Sequence, residues 1–204
     1  MSRLSCLLWA ALALAACAPP APKPPPLAPP SERADLTRAL LLLGPGVDVE
    51  EARQLTVTAY AYPRELARDY GRRLSVLAER RGVALDFKTP ALCRDWAERF
   101  EVRLGQERFR TLEVQLVISP ARAIAPVEHS AVVATVPGQP VKTGILLDPC
   151  RREGALYWAP AGEDGLFDWR PRLEVLLEQS WGRRPWYGRN PLDGRILRPD
   201  PLTP

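Results

Sequence analysis

Residues 127–149 read VEHSAVVATVPGQPVKTGILLDP. Two apolar runs flank Pro-Gly-Gln-Pro at 137–140, a turn composition, so the stretch predicts an antiparallel hairpin. Setting Val136 across from Val141 over that turn places His129 opposite Asp148. Directly opposed residues share a face of a sheet, with Cβ atoms about 4.5–5.5 Å apart. This register therefore brings an imidazole and a carboxylate within hydrogen-bonding reach. A slip of one residue would send them to opposite faces. His129 is the single histidine of the chain.

The pattern on either side of the hairpin extends the sheet. In RTLEVQLVIS, residues 110–119, Leu112, Val114, Leu116 and Ile118 alternate with Glu113 and Gln115, which is the period of a half-buried strand. After the hairpin, RREGALYWAP predicts another short strand through Tyr157 and Trp158, where Arg151 and Arg152 read as solvated. PRLEVLLEQSW, residues 171–181, reads as a final helix with Leu173, Leu176, Leu177 and Trp181 inward.

Before the sheet the period is helical. In TPALCRDW, residues 89–96, Thr89 serves as N-cap and Pro90 as first helical residue, so Cys93 sits in the opening turn. Trp96, Phe100 and Leu104 continue one inward face, Arg94, Glu98 and Glu101 point outward, and Gly105 ends the helix. Three helices are expected upstream. One spans 31–43, capped by Ser31 and stopped by Gly44-Pro45-Gly46. A second is capped by Asp48. A third is opened by Pro63, carries Leu66, Tyr70, Leu74 and Leu77 on one face and stops at Gly82; 83–88 then reads as a brief extended segment. The expected class is α+β: N-terminal helices and the cysteine-bearing helix packed on a small antiparallel sheet.

Residues 1–16, MSRLSCLLWAALALAA, carry one arginine and then an apolar run too short to cross a bilayer, which is the composition of a secretory signal. The run closes on Leu14, Ala15, Ala16 and Cys17, which resembles the lipobox of bacterial lipoproteins. That resemblance implies cleavage before Cys17, acylation of Cys17, and a membrane partner reached through the lipid anchor. With Ala18 in place of an aspartate after the cysteine, it implies the outer membrane, facing the periplasm. Residues 17–30 are proline-rich and read as a spacer. The chain thus divides into a signal at 1–16, the lipidated cysteine and linker at 17–30, one domain at 31–182, and a Pro/Arg-rich tail at 183–204.

The formal charge of +4 is spread over interleaved basic and acidic residues, with only Lys23, Lys88 and Lys142 as lysines. That is a mixed solvated surface rather than a nucleic-acid patch, and export argues against nucleic acid separately. With Cys6 discarded and Cys17 lipidated, Cys93 and Cys150 are the remaining thiols, and in an oxidising compartment such a pair is a disulfide candidate.

The alternative for Cys93 is nucleophilic chemistry. A helix N-terminus favours a thiolate, a histidine can pair with it and later protonate a leaving amine, and an acid on the other ring nitrogen fixes the tautomer. CRDWA at 93–97, EHSAVV at 128–133 and LDP at 147–149 occur in the order Cys on a helix, His on a strand, Asp on the next strand. This order resembles the transglutaminase-like branch of the papain-like cysteine enzymes. The resemblance implies Cys93 as nucleophile, His129 as base and Asp148 as its orienting partner. It further implies acyl transfer from an amide of a peptide, protein or cell-wall substrate to an amine or water, with no metal and no cofactor. A non-catalytic structural or binding lipoprotein with a Cys93–Cys150 disulfide stands beside that expectation.

Overall fold

The computed structural model describes residues 24–81 and 90–183, and of 71–81, 90–92 and 181–183 the backbone alone. The signal at 1–16, Cys17, Gly82, the 83–88 segment, the Thr89 cap and the tail beyond Arg183 lie outside the described residues, as do the side chains of Leu74, Leu77 and Trp181. Within that range the chain is α+β, with four helices and a five-stranded antiparallel sheet.

The first helix, α1 (Pro30–Leu41), begins after Pro29, and its start carries no side-chain cap, so Ser31 is not the cap the sequence predicts. Its buried Leu36 and Leu40 lie against α2 (Val49–Arg81). Asp48 does cap α2: its Oδ1 accepts the Glu50 and Glu51 N–H groups at 2.8 and 3.0 Å. Residues 24–29, the end of the proline-rich stretch, lie on the domain, where Arg64 Nε donates to the Pro25 carbonyl at 2.8 Å and Ala28 packs on the core.

α2 is one helix of 33 residues, not the two that Pro63 suggests. The reason is an unbroken buried stripe, Ala52, Leu55, Ala59, Pro63, Leu66 and Tyr70, that keeps helical phase through the proline. A proline inside a helix costs about 3 kcal/mol. Burial of the residues on both sides of it outweighs that cost.

α3 (Pro90–Gly105) buries Trp96, Phe100 and Leu104 and packs across β1 (Glu113–Ser119) and β2 (His129–Thr135). β3 (Ile145–Asp148), β4 (Tyr157–Pro160) and β5 (Arg170–Pro171) complete the sheet in the order β4-β3-β2-β1-β5. β5 is too short to carry a period and was not expected from sequence. One sheet face, with Val132, Ala134, Ile145 and Leu147, meets the helices. The other, with Val117, Ala131, Val133 and Leu146, is covered by Val141, Ala161 and Trp169.

The β2–β3 ladder pairs Val132 with Leu147, Val133 with Leu146 and Ala134 with Ile145. This is two residues away from the register derived from a four-residue turn. Val141 does not pair with Val136, because residues 141–143 form a short 3-10 turn that buries Val141 under the sheet. The chain re-enters the ladder at Ile145, just after Gly144, where a Cβ would stand 2.5 Å from the Ala134 carbonyl oxygen. A shift of two preserves the faces, so His129 and Asp148 stay on the same side.

α4 (Arg172–Arg183) turns a different face inward than its leucines suggest. Val175 is buried against Ala97, Leu116 and Ile118, whereas Leu173 is 69% and Leu176 38% exposed. Ion pairs of Arg170 with Glu174 and Glu178 and of Arg172 with Glu98 accompany this rotation. Glu101 of α3, expected to face solvent, accepts the Leu116 N–H at 2.9 Å.

Candidate active site

The predicted residues meet at the end of the sheet where β2 begins and β3 ends. Glu128, just before β2, accepts from Arg94 Nη2 at 2.8 Å and from Gln179 Nε2 at 3.1 Å. These bonds tie the start of the strand to the first turn of α3 and to α4. His129 follows as the first residue of β2. Its ring is stacked by Phe167 at 4.7 Å between centroids and met by the tilted ring of Trp169 at 5.7 Å.

His129 Nε2 lies 2.8 Å from Asp148 Oδ2. Asp148 is fully buried, and its charge is met by donors on all sides. Oδ1 accepts the N–H groups of Cys150 and Arg151, each at 3.0 Å, and Oδ2 also accepts Arg151 Nε at 3.0 Å. A carboxylate so surrounded is an acceptor toward the ring, which assigns the imidazole proton to Nε2. Nδ1 then carries the lone pair, and it makes no hydrogen bond to any described residue.

Arg151, read from sequence as solvated, belongs to this site. Besides Asp148 it donates through Nη2 to Asp164 at 2.6 Å, and its guanidinium lies 3.9 Å from the Tyr157 ring centroid and 4.9 Å from that of Phe167. Burial works against its charge, but hydrogen bonds to Asp164 and Asp148 and their charges hold its pKa above the ordinary value. Asp164 also accepts Trp169 Nε1 at 3.0 Å. The one sequence signal for Arg151 was its place three residues after a candidate catalytic acid. Phe167, Trp169 and Asp164 lie in a loop with no period, and nothing in the sequence singled them out.

Cys93, the fourth residue of α3, is buried among Leu66, Tyr70 and Trp96. Its sulfur is bonded to that of Cys150, with the Cα atoms 5.3 Å apart. Cys93, His129 and Cys150 line one cavity of about 330 Å³, whose wall includes apolar Ile124, Val127 and Phe167 and charged Arg151 and Glu153. Asp148 stands behind the histidine. All four residues singled out in the sequence are therefore brought to one place, with the thiol held in a disulfide. Cys150 reaches α3 because Gly154 closes the turn after it with φ +94°, where any Cβ would stand 2.9 Å from the Pro63 carbonyl oxygen.

Among the described residues, no group of three or more His, Cys, Asp or Glu side chains is placed to hold a metal ion, and no helix is long and apolar enough to cross a membrane. No family model matches the chain, and no curated protein or solved structure matches it either.

Proposed function

We propose that this chain is an envelope lipoprotein, anchored through Cys17 to the outer membrane and facing the periplasm, whose domain is a transglutaminase-like thiol enzyme acting on amide bonds. The observation that carries the reading is the His129–Asp148 hydrogen bond at 2.8 Å, made in a cavity that Cys93 also lines. With Nε2 committed to Asp148, Nδ1 is the nitrogen that takes the Cys93 proton. The thiolate attacks the amide carbonyl carbon and the C–N bond breaks. The amine leaves with the proton from His129, and a thioester remains on Cys93. Water or a second amine then resolves the thioester, giving hydrolysis or transfer of the acyl group of a peptide, protein or cell-wall substrate. The place of Cys93 at the N-terminal end of α3 favours a thiolate through the N–H groups of the first turn, and it does so against the desolvation that burial imposes.

The Cys93–Cys150 bond favours a second reading, a non-catalytic binding lipoprotein in which the disulfide is a staple. Alkylation of the reduced protein decides between them. The enzyme reading expects Cys93 to react with iodoacetamide at mildly acid pH and His129→Ala to move the profile toward that of an ordinary thiol, near pH ~8.5. A wild-type profile already centred there leaves the staple reading standing. Activity-based profiling of envelope fractions with wild type against Cys93→Ala then identifies the amide acted on.

A further inference from the structure

The same bond that removes the nucleophile sits where it can be undone without dismantling the domain. Both cysteines are buried with Leu66, Tyr70 and Trp96 in a cluster separate from the core between the helices and the sheet, and both also line the cavity beside His129. Each end is also fixed by other means. α3 is seated by Trp96, Phe100 and Leu104 and by the Arg94–Glu128 pair. The turn carrying Cys150 is held by Asp148 Oδ1, by the Gly154 N–H to the Pro149 carbonyl at 2.9 Å, and by Arg151 bridging Asp148 and Asp164. Breaking the link leaves the cysteine-bearing helix and the His129–Asp148 pair held by these contacts.

We propose that Cys150 is a redox cap on Cys93: the domain is held inactive as the disulfide and is uncapped by a dithiol reductant of the envelope. The proposal rests on the acyl-transfer reading of Cys93, His129 and Asp148. In the uncapping step, a thiolate of the reductant attacks Cys150 Sγ, the Cys93–Cys150 bond breaks, and its electron pair leaves on Cys93. The second thiol of the reductant then resolves the mixed disulfide on Cys150. Two electrons and two protons pass from the dithiol, which becomes a disulfide, to the cysteine pair. Attack falls on Cys150 because this leaves the departing negative charge on the sulfur at the start of α3. Cys93 lies in the first turn of α3 and lines the same cavity as His129. A disulfide oxidant of the envelope, itself reduced to a dithiol by the two electrons and two protons it takes up, restores the cap.

The test uses the full chain, dithiothreitol as the dithiol, and iodoacetamide labelling of Cys93 at pH 6 read by peptide mass spectrometry. Without reductant, wild type is expected to yield one Cys93–Cys150 linked peptide and no label. Dithiothreitol should raise labelling at least about ten-fold while circular dichroism stays unchanged. Cys150→Ala should label at the reduced wild-type rate with no reductant, and Cys150→Ser serves equally. Equal labelling of unreduced wild type and Cys150→Ala overturns the cap, as does loss of the folded spectrum when the bond opens. If Cys150→Ala labels only with the pH profile of an ordinary thiol, the acyl-transfer reading itself falls and takes the regulatory role with it. Failure of dithiothreitol to raise labelling, in a chain whose Cys150→Ala variant is acid-reactive, overturns the cap alone.

Discussion

His129 and Asp148 hydrogen-bond at 2.8 Å without facing each other across the ladder. One step beyond the Val132–Leu147 pair puts Asp148 across from Ala131, so His129 reaches the carboxylate diagonally. Diagonal neighbours on one face are about 7–8 Å apart at the backbone, within range of a long or aromatic side chain. This leaves Asp148 free on its other side to accept from Arg151 and the following turn. One carboxylate thus orients the imidazole and anchors the segment that carries Cys150.

The tautomer that follows can be read directly, because the chain has one histidine. In neutral solution, long-range nitrogen–proton NMR spectra should show His129 protonated at Nε2. Asp148→Ala should return the ring to a mixture of tautomers. The same substitution leaves Arg151 with only Asp164 and strips the partner from two N–H groups, so urea unfolding should record a loss of about 3 kcal/mol or more.

Gly154 places the Cys150 turn against α2. An alanine there would keep a left-handed backbone at φ +94° and put its Cβ 2.6 Å from Ala67 Cβ and 2.9 Å from the Pro63 carbonyl oxygen. Both the backbone strain and the clash with a rigid helix oppose it. Chemical denaturation of Gly154→Ala should show a loss of about 2–4 kcal/mol.

The disulfide joins positions 57 residues apart. Chain entropy alone sets its contribution at about 4 kcal/mol, by limiting the unfolded ensemble. Reduced wild type and Cys150→Ala should therefore both unfold at lower denaturant than the oxidised protein, with a single cooperative transition retained in each. Loss of cooperativity in the reduced chain would mean that α3 depends on the bond for its place.

The residues of the site were legible where a pattern reports on a whole element, and lost where one local contact decides. Period and parity gave α3, β1 and the hairpin, and parity alone sufficed to put His129 and Asp148 on one face. The register missed by two because Val141 is drawn under the sheet beside Trp169, a burial made by residues distant in sequence. Pro63 suggested a break because the proline penalty is local, whereas the stripe that overrides it needs the partners of α2. The α4 leucines misled for a related reason. The contact that α4 buries is made with Ala97, Leu116 and Ile118, residues distant in sequence, so Val175 is the residue that seals the sheet. Arg151 read as solvent-facing because its two carboxylates converge only in the fold.

That convergence gives the site a pH dependence. Burial raises the Asp164 pKa, but hydrogen bonds from Arg151 and Trp169 and the Arg151 charge outweigh it, so the folded-state value lies below the ordinary one. A carboxyl depressed in this way contributes stability above its unfolded pKa, about 3.9, and loses it as pH falls through the folded value. Asp164→Asn removes the titration and leaves Arg151, whose side chain is 19% exposed, with one carboxylate fewer. The variant should be about 3 kcal/mol less stable than wild type at pH 7. That gap should narrow below about pH 4 as wild type protonates Asp164. Asp168 is lowered too, first by its hydrogen bond from Lys142, but that pair is 61% and 36% exposed. Asp168→Asn should therefore cost no more than about 1 kcal/mol at either pH. Thermal melts of the two variants between pH 2.5 and 7 separate these cases: a gap for Asp164→Asn that stays constant with pH would show that Arg151, and not the Asp164 charge, sets the stability of this corner.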